Sequence, residues 1–139
     1  MFGSCAVANK NPIIAVAENG RKFIVVNKSK SLVRKVQVDG CVVLPGPQLR
    51  CDYLFEVGDP YDSAIYVELK GADVSHAYSQ LVATLNRFRA RHVNVPKQCH
   101  VVASRVPRMG GAIQQLKIRM LKDHGAVFSV HTSVKKVIV

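Results

Sequence analysis

The sequence predicts an α/β protein of the α+β kind, with a central mixed β-sheet flanked by helices, and three observations carry that expectation. Short apolar runs bounded by turn residues fill much of the first 70 positions. The apolar period then lengthens to three or four over residues 73–91 and again over 111–124, and apolar strand-like runs return after each of those segments. Strands followed by helix, strand, helix and strand fold most simply as one mixed sheet with helices against it. At 139 residues the chain fits one domain, spanning 1–139, large enough to bury a core of its own.

"IIAVA" (13–17) and "KFIVV" (22–26) flank Glu18-Asn19-Gly20-Arg21, and Asn-Gly between apolar runs is the strongest short hairpin signal; a helix over part of 13–18 competes with it. "LVRKVQVDG" (32–40) alternates as a half-buried strand and "CVVLPGPQ" closes it in a Pro/Gly turn. "CDYLFEV" (51–57) and "AIYVELK" (64–70) follow as two strands joined by a polar loop. Val74, Ala77, Tyr78, Leu81, Val82, Leu85 and Phe88 then mark an amphipathic helix over 73–91, with Asp73 at the end where a carboxylate suits the helix dipole. "CHVVASRV" (99–106) reads as a strand, 111–124 as a helix stopped by Gly125, and the remainder as one or two strands.

Charge narrows the function classes. The net charge is +11, yet seven of the nine acids fall between residues 39 and 73, where the only cations are Arg50 and Lys70. That window carries −5 and the rest of the chain +16. Cations to hold phosphates around clustered carboxylates to hold a metal suit an enzyme acting on a polyanion, although basic domains also merely bind nucleic acid or carry solvated basic faces. No apolar run approaches the ~18 residues of a membrane span, so a soluble, cytoplasmic protein without a membrane partner is expected. Cys5, Cys41, Cys51 and Cys99 form no C-x-x-C pair and are expected as reduced, partly buried thiols; with His100 they lack zinc-finger spacing.

Alternation assigns Tyr53, Phe55, Val57, Ile65, Val67 and Leu69 to one apolar face, and Asp52, Glu56, Tyr66, Glu68 and Lys70 to the other. Pairing 57 with 65 would set Asp52 opposite Lys70 and diagonal to Glu68. Two carboxylates, a backbone carbonyl and waters make an oxygen site suited to Mg²⁺, and Lys70 could orient or deprotonate a water there. The same spacing equally suits a solvent-facing sheet edge with Asp52 and Lys70 as a weak cross-strand ion pair.

"CDYLF" followed by "YVELKG" and a helix carrying Gln80 resembles the PD-(D/E)xK nuclease superfamily, the restriction-endonuclease-like fold. With "VDGC" (38–41), "HAYSQL" (76–81) and "ASRVP" (103–107), the stretch 36–107 looks like a group of small, uncharacterised bacterial members of that superfamily. The resemblance implies an αβββαβ core and phosphodiester hydrolysis, with a divalent metal on Asp52, Glu68 and the Leu69 carbonyl and with Lys70 catalytic. The metal would be Mg²⁺, with Mn²⁺ as a substitute. Cys51 stands where the superfamily's name has Pro. Many members place an acid upstream, for which Glu18 is the one residue available before Asp39; a plain hairpin role competes for Glu18, and a turn role is favoured over a ligand role for Asp39.

Gln80 is expected on the polar side of its helix, reaching the site or merely solvated, with His76 as a surface or neighbouring group. Arg87, Arg89, Arg91, Arg105 and Arg108, with Lys97, Lys117, Arg119 and Lys122, could line a groove and contact phosphates without reading bases. The expected function is therefore a divalent-metal-dependent nuclease acting on nucleic acid, DNA before RNA, in a homodimer or with a partner protein. The alternatives are a non-cutting or partner-dependent nucleic-acid-binding module with the same fold, and a structural adaptor with a basic surface.

Overall fold

The computed structural model describes residues 2–69, 73–106, 108 and 110–139. Strand β1 (Ala6–Asn9) follows a 3-10 turn at Gly3–Cys5; then come β2 (Ile13–Glu18), β3 (Arg21–Val26), β4 (Val33–Gln37), β5 (Tyr53–Val57), β6 (Ser63–Leu69), helix α1 (Val74–Arg87), β7 (Lys97–Ala103), α2 (Ala112–His124), β8 (Ala126–Thr132) and β9 (Val134–Ile138). The mixed α+β class is as expected, but the strands form two sheets. Six strands pair in the order β1-β4-β5-β6-β7-β8, and β2-β3-β9 form a second sheet.

Parity along β5 and β6 explains the two sheets. Leu54, Ala64 and Tyr66 point to one face and pack with Val74, Ala77, Leu81 and Leu85 of α1 and Met120 of α2. Phe55, Val57, Ile65, Val67 and Leu69 point to the other and pack with Ile14, Val16, Phe23 and Val25 of the small sheet. The face expected to carry a solvated site is therefore also a core, and Asp52, Glu56, Glu68 and Gln80 are all buried in or beside it. Burying both faces of one sheet removes more apolar surface from water than a single helical layer could, at roughly 25 cal/mol per Å².

The hairpin signal resolves against the helix. Glu18 pairs with Arg21 across Asn19 and Gly20, both at positive φ (50° and 80°), the backbone a two-residue hairpin loop of type I′ requires. Helix α1 stops at Arg87 rather than at 91, and Asp73 caps it by accepting the His76 N–H at 2.9 Å. Gly125, at φ 62°, ends α2 in the left-handed conformation.

Four expectations need correction. Tyr53 pairs with Val67 and Val57 with Ser63, so the β5–β6 register differs by two residues from 57–65; the even shift leaves the side chains of the described residues on their expected faces. Cys5 and Cys41 are joined in a disulfide, and only Cys51 and Cys99 are buried free thiols. Strand β1, unexpected because "AVAN" is four residues long, is held against β4 beside that disulfide. Among the described residues nothing helical precedes β4 except the 3-10 turn, so the leading helix of the expected αβββαβ order is not there, whereas the order βββαβ runs through β4, β5, β6, α1 and β7. Among the described residues no helix is long and apolar enough to cross a membrane.

Candidate active site at the end of the central hairpin

Asp52 stands where the antiparallel β5–β6 ladder ends and the chain prepares to cross to α1. Its main chain is pinned from both sides: its N–H donates to the Val67 carbonyl at 3.2 Å, and its own carbonyl accepts the N–H groups of Val38 (2.9 Å) and Asp39 (3.3 Å). Where a further ladder carbonyl would stand, the Asp52 carboxylate instead accepts the Leu69 N–H through Oδ2 at 2.8 Å. The neighbouring Cys51 N–H donates to the Thr84 hydroxyl of α1 at 2.8 Å, which fixes the helix against this strand end. An aspartate therefore substitutes for main chain at this point, and the bond holds its carboxylate in one orientation.

Glu68 is the residue before Leu69 and is fully buried, at 0% exposure, while Asp52 is 9% exposed. Their field reaches their neighbours. The Cys51 thiol is pushed up well above its ordinary range, first by burial and then by the charges of Glu68 and Asp52. Tyr53 is raised as well, by burial and then by Asp52, Glu18 and Asp39. Both additional acids are thus close enough to act on this end of the sheet. Asp39 is committed to Arg50 at 2.9 Å in a turn with Gly40, in line with a turn role, and Glu18 is exposed at the tip of the β2–β3 hairpin. Lys70 lies outside the described residues.

Gln80 differs from its expected polar-face position. It is 9% exposed and one turn before Thr84, on the face of α1 turned to the sheet, whereas His76 is exposed. Gln80 Oε1 is buried with no hydrogen-bond partner among the described residues. An orphaned buried acceptor costs about 1–3 kcal/mol, which makes Gln80 Oε1 a candidate oxygen donor on the helix face that Thr84 holds against Cys51. Among the described residues no three His, Cys, Asp or Glu side chains converge as a metal cluster; a cation here would rest on Asp52, Glu68, carbonyl oxygens and water.

The arginines divide between two ends. Helix α1 leaves the C-terminal end of β6 and runs about 21 Å back along the sheet, so Arg87, Arg89 and Arg91 lie at the end opposite Glu68 and cannot line a groove beside it. Arg91 is moreover committed to Glu56, with Nε–Oε2 at 2.7 Å and Nη2–Oε1 at 2.9 Å, and its guanidinium stacks on Phe2 and Tyr61. Arg105 and Arg108 follow the C-terminal end of β7, which pairs Val102 with Leu69, and both are exposed on the Asp52–Glu68 side.

Sequence reasoning missed the centre of the opposite end. Glu56 is fully buried and also accepts Arg34 Nη1 at 3.0 Å and meets His92 Nε2 at 2.5 Å, while His92 Nδ1 hydrogen-bonds the Tyr66 hydroxyl. Burial alone would raise the Glu56 carboxyl; the hydrogen bonds from Arg91 and His92 outweigh it and hold the group down at about 2. The signal that picked out Glu68, an acid inside an apolar strand, was present at Glu56 too, but its partners come from residues 34, 91 and 92 and no local spacing joins them. A wide apolar cleft of about 550 Å³ at this end is lined by Pro12, Ile13, Val26 and Asn27 with Lys10, Lys28 and Lys30, and none of these is an acid.

Comparison with known proteins gave no matching family model, no similar curated protein and no similar solved structure, so the chemistry of this site rests on its own residues.

Proposed function

We propose that the chain is a divalent-metal-dependent nuclease with a restriction-endonuclease-like core, hydrolysing phosphodiester bonds in nucleic acid, DNA before RNA. The observation that carries this reading is the Asp52 carboxylate, fixed by the Leu69 N–H beside Glu68 at the point where the βββ meander gives way to the αβ crossover. The donor chemistry fits a hard cation: carboxylates of Asp52 and Glu68, the Leu69 carbonyl, and the orphaned Gln80 Oε1. Cys51 sits among them but stays a neutral thiol, because burial, Glu68 and Asp52 all oppose its ionisation, so no soft thiolate competes for the site. Mg²⁺ or Mn²⁺, when bound, would polarise the phosphate and acidify a coordinated water.

The protein's own residues supply orientation. The Leu69 N–H fixes one Asp52 oxygen, and the bond from Cys51 N–H to the Thr84 hydroxyl keeps the face carrying Gln80 against the strand end. Lys70, two positions after Glu68, is assigned as the group that offsets charge developing on the phosphate and positions the attacking water. Complete burial of Glu68 favours a second reading, in which cutting depends on a partner protein or on substrate opening the site, and the chain alone only binds.

The test is incubation with labelled single-stranded, duplex and branched DNA and with RNA in Mg²⁺, Mn²⁺ or EDTA, beside Glu68→Ala and Lys70→Ala. Metal-dependent products lost in both variants are expected. Salt-sensitive binding without products in any lane would replace this reading with the second, and neither binding nor products would end both.

A further inference from the structure

We infer that Arg21, held by Ser104, is a phosphate contact for the nucleic-acid strand flanking the Asp52–Glu68 site, which makes the β2–β3 hairpin a substrate-binding arm. The inference rests on the nuclease reading and adds to it an element on the small sheet that the sequence offers only as a turn. Arg21 begins β3, immediately after the Asn19-Gly20 loop, and its Nη1 donates to the Ser104 hydroxyl at 3.0 Å across 83 positions of chain. Ser104 lies two residues beyond Val102, the pairing partner of Leu69. At about 3.3 Å per residue it stands about 7 Å further out along the sheet than Leu69, or about two 3.4 Å steps of a nucleic-acid strand.

Two independent features mark Arg21 as a cation prepared for an anion. Arg34, Arg50 and Arg91 each pair with a carboxylate. Arg21 pairs with none among the described residues, although Glu18 is its direct cross-strand partner, and the guanidinium turns away from that carboxylate to Ser104. Its Nε is also buried without an acceptor among the described residues, a cost accepted where the side chain is held in one place by its surroundings. The base of the hairpin is anchored in turn by the Lys22 N–H on the Ser133 carbonyl at 2.8 Å. What remains is Nη2 and the second proton of Nη1, at the exposed rim that also carries Lys22, Ser104 and Arg105. A guanidinium positioned in this way suits a phosphate oxygen better than a freely moving lysine does, and it reads no base.

The experiment measures binding separately from cutting. The Glu68→Ala protein is titrated in EDTA with fluorescent single-stranded and duplex DNA between 50 and 200 mM salt, alone and combined with Arg21→Gln, Ser104→Ala or, at the far end of the small sheet, Lys28→Gln, with thermal melts to confirm folding. Losing one phosphate contact flattens the slope of log affinity against log salt by about 0.7–0.9. Arg21→Gln is expected to do so and to weaken binding several-fold at the lowest salt. Ser104→Ala, which releases the guanidinium, is expected to show a smaller loss in the same direction, and Lys28→Gln to leave the slope unchanged. An unchanged slope for Arg21→Gln, or equal flattening by Lys28→Gln, overturns the inference while the parent's binding keeps the nuclease reading alive. If the Glu68→Ala parent binds no DNA at any salt, the functional reading itself falls and takes the inference with it.

Discussion

The two ends of the β5–β6 hairpin hold the same kind of residue in opposite surroundings. Glu56 and Glu68 are both fully buried glutamates on the helix-facing side of adjacent strands. Glu56 is met by Arg34, Arg91 and His92, and those donors hold its carboxyl at about 2. Glu68 stands beside a second carboxylate, Asp52, and the two together drive the Cys51 thiol upward. One end uses a buried carboxylate to tie together β4, β5 and the loop after α1. The other sets two acids side by side where the strand pair ends, and clustered acids that perturb a neighbouring group mark a candidate functional site.

Replacing each glutamate by glutamine gives the largest contrast. Glu56→Gln leaves two guanidiniums and His92 around a neutral amide, and breaking a buried ionic network by removing one partner costs about 3–5 kcal/mol. Denaturant unfolding should show that loss. Glu68→Gln, which keeps the volume of the buried side chain, should lose less stability than Glu56→Gln while abolishing metal-dependent cleavage. Equal destabilisation by the two substitutions would make both ends structural and remove the basis for the site.

Acid titration tests the same contrast without mutation. Glu56 has its folded pKa depressed to about 2 from about 4.5, so its stabilisation is complete above pH 4.5 and is lost as pH falls towards 2, a span worth about 3 kcal/mol. A second group acts at higher pH. His100 Nδ1 meets His131 Nε2 at 3.0 Å between the two sheets, and burial, then the charges of His131 and Lys135, lower His100 to about 3; burial, then Lys135 and Lys117, lower His131 to about 4. Each resists a proton that the unfolded chain accepts near 6.5, so stability falls as pH drops from 6.5 towards 4. Urea midpoints should decline in both windows. Glu56→Gln should remove only the lower decline, and His100→Gln with His131→Gln only the upper; a profile flat from pH 7 to 4 in the parent would refute the histidine assignment.

The disulfide gives the next effect in size. Cys5–Cys41 closes 36 positions of chain and ties the start of β1 to the loop that leads into Asp52. Cys5→Ser should cost about 2–4 kcal/mol, and a reducing agent should lower the parent's melting temperature while leaving the variant's unchanged. No response to reductant would show that β1 is held by its pairing with β4 alone.

Local signals made much of the fold legible in the sequence. Asn19-Gly20 wrote its own turn, Asp73 its own cap, and the parity of β5 and β6 assigned the side chains of the described residues to their observed faces even though the assumed register was off by two. What stayed hidden depends on contacts between distant residues. Nothing local says that β3 pairs with β9 in parallel, that Cys5 reaches Cys41, or that Arg91 turns back to Glu56, because each joins segments tens of residues apart. The acids of the candidate site stood out in the sequence, since a charge inside an apolar strand conflicts with its surroundings. The arginines misled because equal composition along α1 and β7 carries no information about which end of the sheet each segment reaches.

Gln80 offers the smallest and sharpest test of whether the Asp52–Glu68 end gives up stability for function. Its Oε1 is buried with no partner among the described residues, on the helical turn before the Thr84 that bonds Cys51. Gln80→Leu replaces an unsatisfied acceptor by apolar volume facing a core that already contains Leu81 and Ala77, so stability should rise by about 1 kcal/mol. If that oxygen belongs to the donor set, the same variant should need more Mg²⁺ to reach half-maximal cleavage, by about tenfold. Gln80→Glu keeps an oxygen there and should restore much of the metal response while lowering stability through added charge beside Asp52 and Glu68. A Gln80→Leu protein that is less stable with an unchanged metal requirement would mean that the amide serves packing, and the contrast between the two ends would then narrow to the two carboxylates.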